Sequence, residues 1–170
     1  MVETAAHFGG IDILVNCAGI FIWKKFLDQT REDWETTMAT NLSAPFFLTQ
    51  HAARVMIEQE RGGAILNIVS IHGKMGDANT VSQCAAKAGL VGLTQATAEA
   101  LREHDIRVNG LSPGMIAANS AARQGASPRE AITQRDLAAL TVFLVSDLAR
   151  TITGTVIDAF GGTRGVIKTP

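Results

Sequence analysis

Short apolar runs alternate with long amphipathic segments along this chain, and this alternation limits the possible folds more than any other feature. We predict buried strands in four apolar runs, at Ile11–Asn16, Ala64–Ser70, Ile106–Leu111 and Thr155–Phe160. We predict helices in the amphipathic segments Glu32–Glu60, Ser82–His104 and Arg135–Ser146. Strands that alternate with helices form parallel sheets, and strands that are apolar along their whole length are covered on both faces. The sequence therefore predicts an α/β fold, an open, doubly wound parallel sheet of about four strands.

Composition and charge exclude several classes of protein. The 170 residues are 46% apolar and 18% charged, which predicts a single folded domain over residues 1–170 rather than a disordered chain. The net charge of −1 provides no basic surface for nucleic acid or for anionic lipid. No apolar run is long enough to span a membrane.

The two cysteines indicate the cellular compartment. Cys17 and Cys84 form neither a metal-ligand spacing nor a disulfide framework, so we predict two reduced thiols and no metal site. The first ten residues lack the basic and apolar regions of a signal peptide. These features together predict a cytoplasmic protein.

The segments that follow the predicted strands are candidates for a binding site, because ligands of open parallel sheets bind beyond the carboxyl ends of the strands. These segments are Asn16–Gly19, Ser70–Gly76, Ser112–Met115 and Gly161–Gly162. Taken alone, they are equally compatible with ordinary turns between a strand and a helix.

Ser70, Gln83 and Lys87 form a second group of candidates. Gln83 and Lys87 are four residues apart in a predicted helix, so they share one face of it. Ser70 ends the strand that precedes this helix. His72 lies in the loop after Ser70, and a histidine titrates near neutral pH. The alternative interpretation is a turn serine, a surface lysine and a loop histidine without a chemical role.

Asn41 and Pro45 form a third feature. Proline has no N–H group, so the carbonyl four residues earlier, that of Asn41, loses its helical partner. A buried carbonyl without a partner binds another donor, often a water molecule. The pair therefore predicts either an ordered water near the strand ends or a kink without further consequence.

In combination, these segments resemble the short-chain dehydrogenase/reductase family from His7 to Gly162. The matching motifs are the Asn16–Gly19 turn (Asn-Asn-Ala-Gly in the family), Asn41 with Pro45, Ser70, Lys87, Ile106–Asn109 followed by Ser112–Gly114, and Thr153–Gly154 with Asp158–Gly162. The resemblance implies a Rossmann-like fold and an oxidoreductase that acts on a carbonyl or hydroxyl group with NAD or NADP.

The resemblance also implies roles for individual residues. Asn41, Ser70 and Lys87 match catalytic positions, and Gln83 stands where the family has its catalytic tyrosine. The residues expected at the cofactor are Asn16, Ala18, Gly19, Lys87, Pro113 and Gly114.

Four departures from the family pattern concern the chemistry. Gln83 is an amide, which cannot exchange a proton near neutral pH as the family's tyrosine does. No G-x-G turn occurs in the chain, so the segment that binds the cofactor diphosphate in the family has no counterpart here. The threonine that contacts nicotinamide in the family is replaced by Ala118, and the segment from Gly114 to Arg135, which covers the substrate in the family, is short. The sequence is therefore compatible with a truncated form of the family fold and with a fragment of a longer chain whose preceding residues supply the Gly-rich turn.

Truncation predicts that the chain associates with itself. In the family, further strands pair with the strand at Ile11–Val15, so here that strand is expected at the edge of the sheet and available to another chain. The predicted helices Glu32–Glu60 and Ser82–His104 resemble those of the family's dimer interface. We therefore expect a homo-oligomer formed by these helices and this edge strand.

The sequence leaves three functions open. The first is an oxidoreductase in which Ser70 and Gln83 polarise a substrate carbonyl while Lys87 or a bound water supplies a proton. The second is a cofactor-independent lyase or isomerase that uses Ser70, His72 and Lys87 for proton transfer. The third is a catalytically degenerate partner or scaffold protein, in which a charge placed at Leu14 is expected to abolish association.

Overall fold

Four parallel strands form one sheet at the centre of the computed structural model, which describes residues 2–114, 116 and 132–160. The strands are β1 (Ile13–Asn16), β2 (Gly63–Ile68), β3 (Ile106–Pro113) and β4 (Val156–Ala159). Their order in the sheet is the same as their order in the chain, and each neighbouring pair is parallel. The predicted α/β sheet of four strands is thus confirmed, with strand ends that differ from the prediction by at most two residues.

Helices cover both faces of this sheet. They are α1 (Val2–Phe8), α2 (Arg31–Met38), α3 (Ala44–Gln59), α4 (Val81–Ala100) and α5 (Gln134–Val145). Successive residues of a strand point to opposite faces, and on β2 Ile65 packs with α3 and α4 whereas Leu66 packs with α5. Two apolar cores result, one on each side of the sheet, which is the doubly wound arrangement.

The segment predicted as one long helix from Glu32 to Glu60 is interrupted. Between α2 and α3, residues Ala39–Ser43 form a π-helical turn, in which the Ala44 N–H donates to the carbonyl of Ala39. A π-turn inserts one extra residue into the helical ladder, and Pro45 lies in the first turn of α3, which continues directly from the π-turn. The sequence contains the proline but no signal for the π-turn.

Helix α4 packs closely on this π-turn. A Cβ built on Gly89 would lie 2.8 Å from Cδ2 of Leu42, so glycine at this position allows the two segments to approach. The predicted helix Ser82–His104 ends at Ala100 and is followed by a 3₁₀ turn over Arg102–His104. No element was predicted for the residues of α1.

Strand β1 lies at one end of the sheet and pairs only with β2 among the described residues. Ile13 is 50% exposed and Val15 is 37% exposed, so an apolar edge lies open in the part of the chain that the structure describes. Leu14, between them, packs against the core of the α3 side. The predicted edge strand is therefore found at Ile13–Asn16 rather than at Ile11–Val15.

Several predictions fall outside the described residues. They concern Met115, Ala118 and Gly161–Gly162. Among the described helices, none combines the length and the apolar character that a membrane span requires.

Candidate functional site at the carboxyl edge of the sheet

Asn41 lies in the π-turn and is fully buried. Its side-chain oxygen accepts the N–H of Ile20 at 2.9 Å, and its side-chain nitrogen donates to the carbonyl of Ile20 at 2.9 Å. Ile20 directly follows the Asn16–Gly19 turn after β1. The π-turn therefore turns Asn41 towards the strand ends, where its amide holds the chain that leaves β1.

The same amide of Asn41 holds Gln83. Asn41 Nδ2 donates to Oε1 of Gln83 at 2.6 Å, and Gln83, in the first turn of α4, is 6% exposed. The structure thus brings Asn41 and Gln83, which the resemblance matches to the family's asparagine and tyrosine, into direct contact. Both side chains are neutral amides, so this contact positions groups without moving a proton.

Lys87 is a buried cation one turn further along α4. It is 5% exposed, and its Nζ donates to the carbonyl of Ile68, the last residue of β2, at 2.7 Å. Burial lowers the pKa of Lys87 to about 8, an effect that nearby Cys17 partly opposes. At neutral pH the Lys87 side chain is mostly charged, and it releases its proton as the pH rises past about 8.

Gly19 lies against this group. A Cβ built on Gly19 would be 3.1 Å from Oδ1 of Asn41 and 3.8 Å from Nζ of Lys87. Glycine therefore leaves space beside the amide and the ammonium group that any other residue would reduce. Ala18, which precedes it, is exposed.

Ser70 and His72 form a second small cluster directly after β2. Ser70 Oγ lies 3.3 Å from Nδ1 of His72 and accepts the backbone N–H of His72 at 3.2 Å. The imidazole packs on Phe21, with the ring centroids 5.6 Å apart. Burial lowers the pKa of His72 below its ordinary 6.5, opposed by the charge of Asp77, so His72 is neutral at pH 7.

The two clusters belong to adjoining elements. The 3₁₀ turn at Ile71–Gly73 packs on α4, where a Cβ on Gly73 would lie 2.9 Å from the carbonyl oxygen of Lys87. The turn that carries Ser70 and His72 therefore lies next to the part of α4 that carries Lys87. A joint chemical role of Ser70, His72, Gln83 and Lys87 stays a prediction.

The side chain of Asn16 points into the interior of the sheet rather than towards the other candidate residues. Its Nδ2 donates to Oδ1 of Asn67 at 2.8 Å and to Oγ1 of Thr49 at 3.2 Å, and Asn67 in turn donates to Thr94. This buried polar chain links β1 and β2 to α3 and α4. A role of Asn16 in cofactor binding stays a prediction, while its amide serves the interior of the sheet.

Pro113 and Gly114 end β3 at the same edge. The Gly114 N–H donates to the carbonyl of Ala159 at 2.9 Å, and a Cβ on Gly114 would lie 3.0 Å from Cα of Phe160. Glycine thus allows the chain to leave β3 close to β4. The Oγ of Ser112, one residue before Pro113, is buried and has no hydrogen-bond partner among the described residues.

Two groups of the site were not foreseen from the sequence. The backbone of Ile20 orients Asn41, and the carbonyl of Ile68 holds Lys87. Both contacts use main-chain atoms, and any residue type supplies those atoms. No pattern in the sequence marks such positions.

Comparisons with known proteins agree on one family. A family model described as enoyl-(acyl carrier protein) reductase matches residues 1–164. An L-rhamnose 1-dehydrogenase (NAD(P)(+)) from Azotobacter vinelandii is 42% identical over 167 residues, covering 91% of this chain and 65% of that protein. The chain therefore spans less than two thirds of the length of this relative.

Solved structures show the same fold. The crystal structure of a putative short-chain alcohol dehydrogenase from Sinorhizobium meliloti superposes with a TM-score of 0.87 at 36% identity, over 95% of this chain and 68% of that one. A 4-hydroxyisoleucine dehydrogenase complexed with NADH gives a TM-score of 0.85 at 29% identity, over 95% of this chain and 72% of that one.

Proposed function

This chain belongs to the short-chain dehydrogenase/reductase family, and we propose that it takes part in hydride transfer between NAD or NADP and a carbonyl or hydroxyl substrate. The observation that carries the proposal is the convergence of Asn41, Gln83 and Lys87 beside Gly19 at the carboxyl edge of the sheet. The 4-hydroxyisoleucine dehydrogenase with NADH and the NAD(P)(+)-dependent rhamnose dehydrogenase support the choice of cofactor.

Two features support binding of the nicotinamide half of the cofactor. Lys87 uses one of its three donors, on Ile68, and no other described group accepts from it. Ser112 Oγ is a buried hydroxyl without a described partner at the end of β3, and buried polar groups of this kind require one. Gly19 leaves space beside Asn41 and Lys87. When bound, the nicotinamide ring supplies or accepts the hydride.

The chain's own residues would handle the substrate oxygen. Ser70 O–H and Gln83 Nε2 are donors that polarise a carbonyl. Gln83 cannot pass on a proton, so the proton comes from a titratable neighbour. Lys87, with its pKa lowered to about 8, is the primary candidate. His72, hydrogen-bonded to Ser70, provides a second route through the serine hydroxyl.

The first test combines cofactor binding with turnover. The 170-residue protein is titrated with NADH and NADPH by nicotinamide fluorescence, and L-rhamnose with NAD+ or NADP+ heads a panel of hydroxyl substrates. We expect Ser70→Ala and His72→Gln to lower kcat/KM by roughly 10²-fold, while His51→Gln, at an exposed site on α3, leaves it unchanged. Gln83→Tyr is expected to raise kcat by restoring a proton-exchanging group.

Two results would contradict the proposal. One is the absence of cofactor binding up to millimolar concentration. The other is turnover that continues unchanged in Ser70→Ala. Turnover without any nicotinamide that is lost in His72→Gln would instead favour a lyase or isomerase.

We also propose that the chain forms a homo-oligomer. The open apolar edge of β1 supports this, as does an apolar groove of about 240 Å³ between α3 and α4, beside the exposed Phe46. A charge at Leu14 is a poor test, because Leu14 packs in the core and its replacement would also destabilise the fold. Val15 is the better position, since it is exposed on the same strand.

A further inference from the structure

We propose that the carboxyl edge of the sheet binds a carboxylate, held between the side-chain NH₂ group of Gln83 and the ammonium group of Lys87. The inference rests on the proposed function only for the location of the site, because it requires neither a cofactor nor hydride transfer. It names the class of ligand or substrate group that the replacement of tyrosine by glutamine favours.

The orientation of Gln83 follows from main-chain chemistry. A backbone N–H can only donate and a backbone carbonyl can only accept, so the two bonds to Ile20 determine which end of the Asn41 amide is oxygen. The remaining hydrogen of Asn41 Nδ2 then points at Gln83, which must present Oε1. Nε2 of Gln83 is therefore the other end of the amide, and none of the described residues accepts from it.

Lys87 supplies the charge. In the family, the neighbouring position carries a phenol that can ionise, whereas here it carries a neutral amide. Among the residues that the structure describes, no carboxylate pairs with Lys87, and its one hydrogen-bond acceptor is the Ile68 carbonyl. A buried charge without a counter-ion is unfavourable, and an anionic ligand would supply that counter-ion.

The acidic group that acts on Lys87 is the thiol of Cys17, and the carboxylates on neighbouring elements are engaged by other groups. Asp158, on β4, is bound by Lys74 at 2.5 Å, and Asp33 is bound by Lys24 at 2.6 Å. Asp77 acts on His72. The donors left at this edge are thus the Lys87 ammonium group and the Gln83 NH₂ group, one turn apart on the same face of α4. An ammonium group and an amide NH₂ together match the two oxygens of a carboxylate.

The test compares two ligands of the same shape. Acetate and acetamide are titrated separately into uniformly ¹⁵N-labelled protein, at constant ionic strength and without nicotinamide, and the Gln83 NH₂ resonances are followed. We expect saturable binding of acetate at millimolar concentration, and acetamide weaker by about tenfold or more. Acetate binding should also raise the pKa of Lys87, measured from the ¹⁵Nζ resonance.

Variants identify the groups responsible. Gln83→Glu places a negative charge at the ligand and is expected to weaken acetate binding by about tenfold or more, whereas Gln50→Glu, exposed on α3, should leave it unchanged. Gln83→Leu keeps the site uncharged and should weaken binding less. Backbone ¹H–¹⁵N spectra establish that each variant is folded, and Lys87→Arg serves as a second charge-preserving variant.

The inference is overturned if acetate and acetamide shift the Gln83 resonances equally, if neither saturates, or if Gln83→Glu binds acetate as the wild type does. Hydride transfer is not measured here, so failure of the oxidoreductase proposal and failure of this inference are separate results.

Discussion

Replacing Lys87 by methionine should remove a pH dependence from the stability of this protein. Burial lowers the pKa of Lys87 from 10.5 to about 8, so the unfolded chain keeps this proton over a range in which the folded chain has lost it. Unfolding free energy rises with pH wherever the unfolded state binds more protons. Lys87 therefore destabilises the fold fully below pH 8, and this destabilisation is relieved between about pH 8 and pH 10.5.

The magnitude follows from the pKa. Each pH unit between the two values corresponds to about 1.4 kcal/mol, so charged Lys87 costs the fold roughly 3 kcal/mol relative to its neutral form. Its side chain is 5% exposed, so solvent screening reduces this figure little. Methionine also leaves the Ile68 carbonyl without its partner, which costs about 1–3 kcal/mol at every pH. The quantity to compare is therefore the slope of unfolding free energy against pH in the wild type and in Lys87→Met, rather than the stability at one pH.

Urea denaturation at intervals from pH 7 to pH 10 measures this difference. The unfolding free energy of the wild type should gain roughly 2–3 kcal/mol relative to Lys87→Met over this range. Lys25→Met, which removes an exposed lysine, should follow the wild type. Parallel curves for the wild type and Lys87→Met would refute the reasoning, because they would mean that Lys87 titrates alike in both states.

Three further predictions concern packing, association and pH. Gly89→Val should destabilise the fold by about 1–3 kcal/mol, because the new side chain meets Leu42. Gly92→Ala, with open space at its Cβ, should be neutral or stabilising. Equal melting temperatures of the two variants would contradict this packing. Val15→Lys should shift the protein towards monomer in sedimentation velocity, and an unchanged distribution would exclude the β1 edge from the interface. Activity should fall in acid with an apparent pKa below 6.5, because burial lowers the pKa of His72. If the same loss of activity in acid persists in His72→Gln, another group is responsible for it.

Much of the fold could be predicted because its signals are local. Each buried strand is a run of apolar residues. Because a strand covered on both faces is apolar along its whole length, it can be recognised without knowing which strands it pairs with. Ser70, Gln83 and Lys87 were placed at one edge because parallel strands all point their carboxyl ends the same way. The spacing of four positions from Gln83 to Lys87 puts both residues on one face of α4.

The π-turn at Ala39–Ser43 and the direction of Asn16 could not be predicted in this way. A π-turn depends on how α2 and α3 pack on α4, and this involves Leu42 and Gly89, which are far apart in sequence. Asn16 has the same sequence context whether its amide faces a ligand or the interior. Its neighbour Asn67, 51 residues away, determines the outcome.

The sequence by itself determined the class of fold. It also predicted the edge of the sheet where a site lies and a glutamine at the position that matches the family's tyrosine. Only the tertiary structure decided what that residue does. Gln83 is oriented by Asn41, which is oriented by the backbone of Ile20, and Lys87 is isolated from carboxylates among the described residues. Residue types carry the chemistry that is available, whereas the direction of a hydrogen bond and the absence of a counter-ion arise only when distant segments meet.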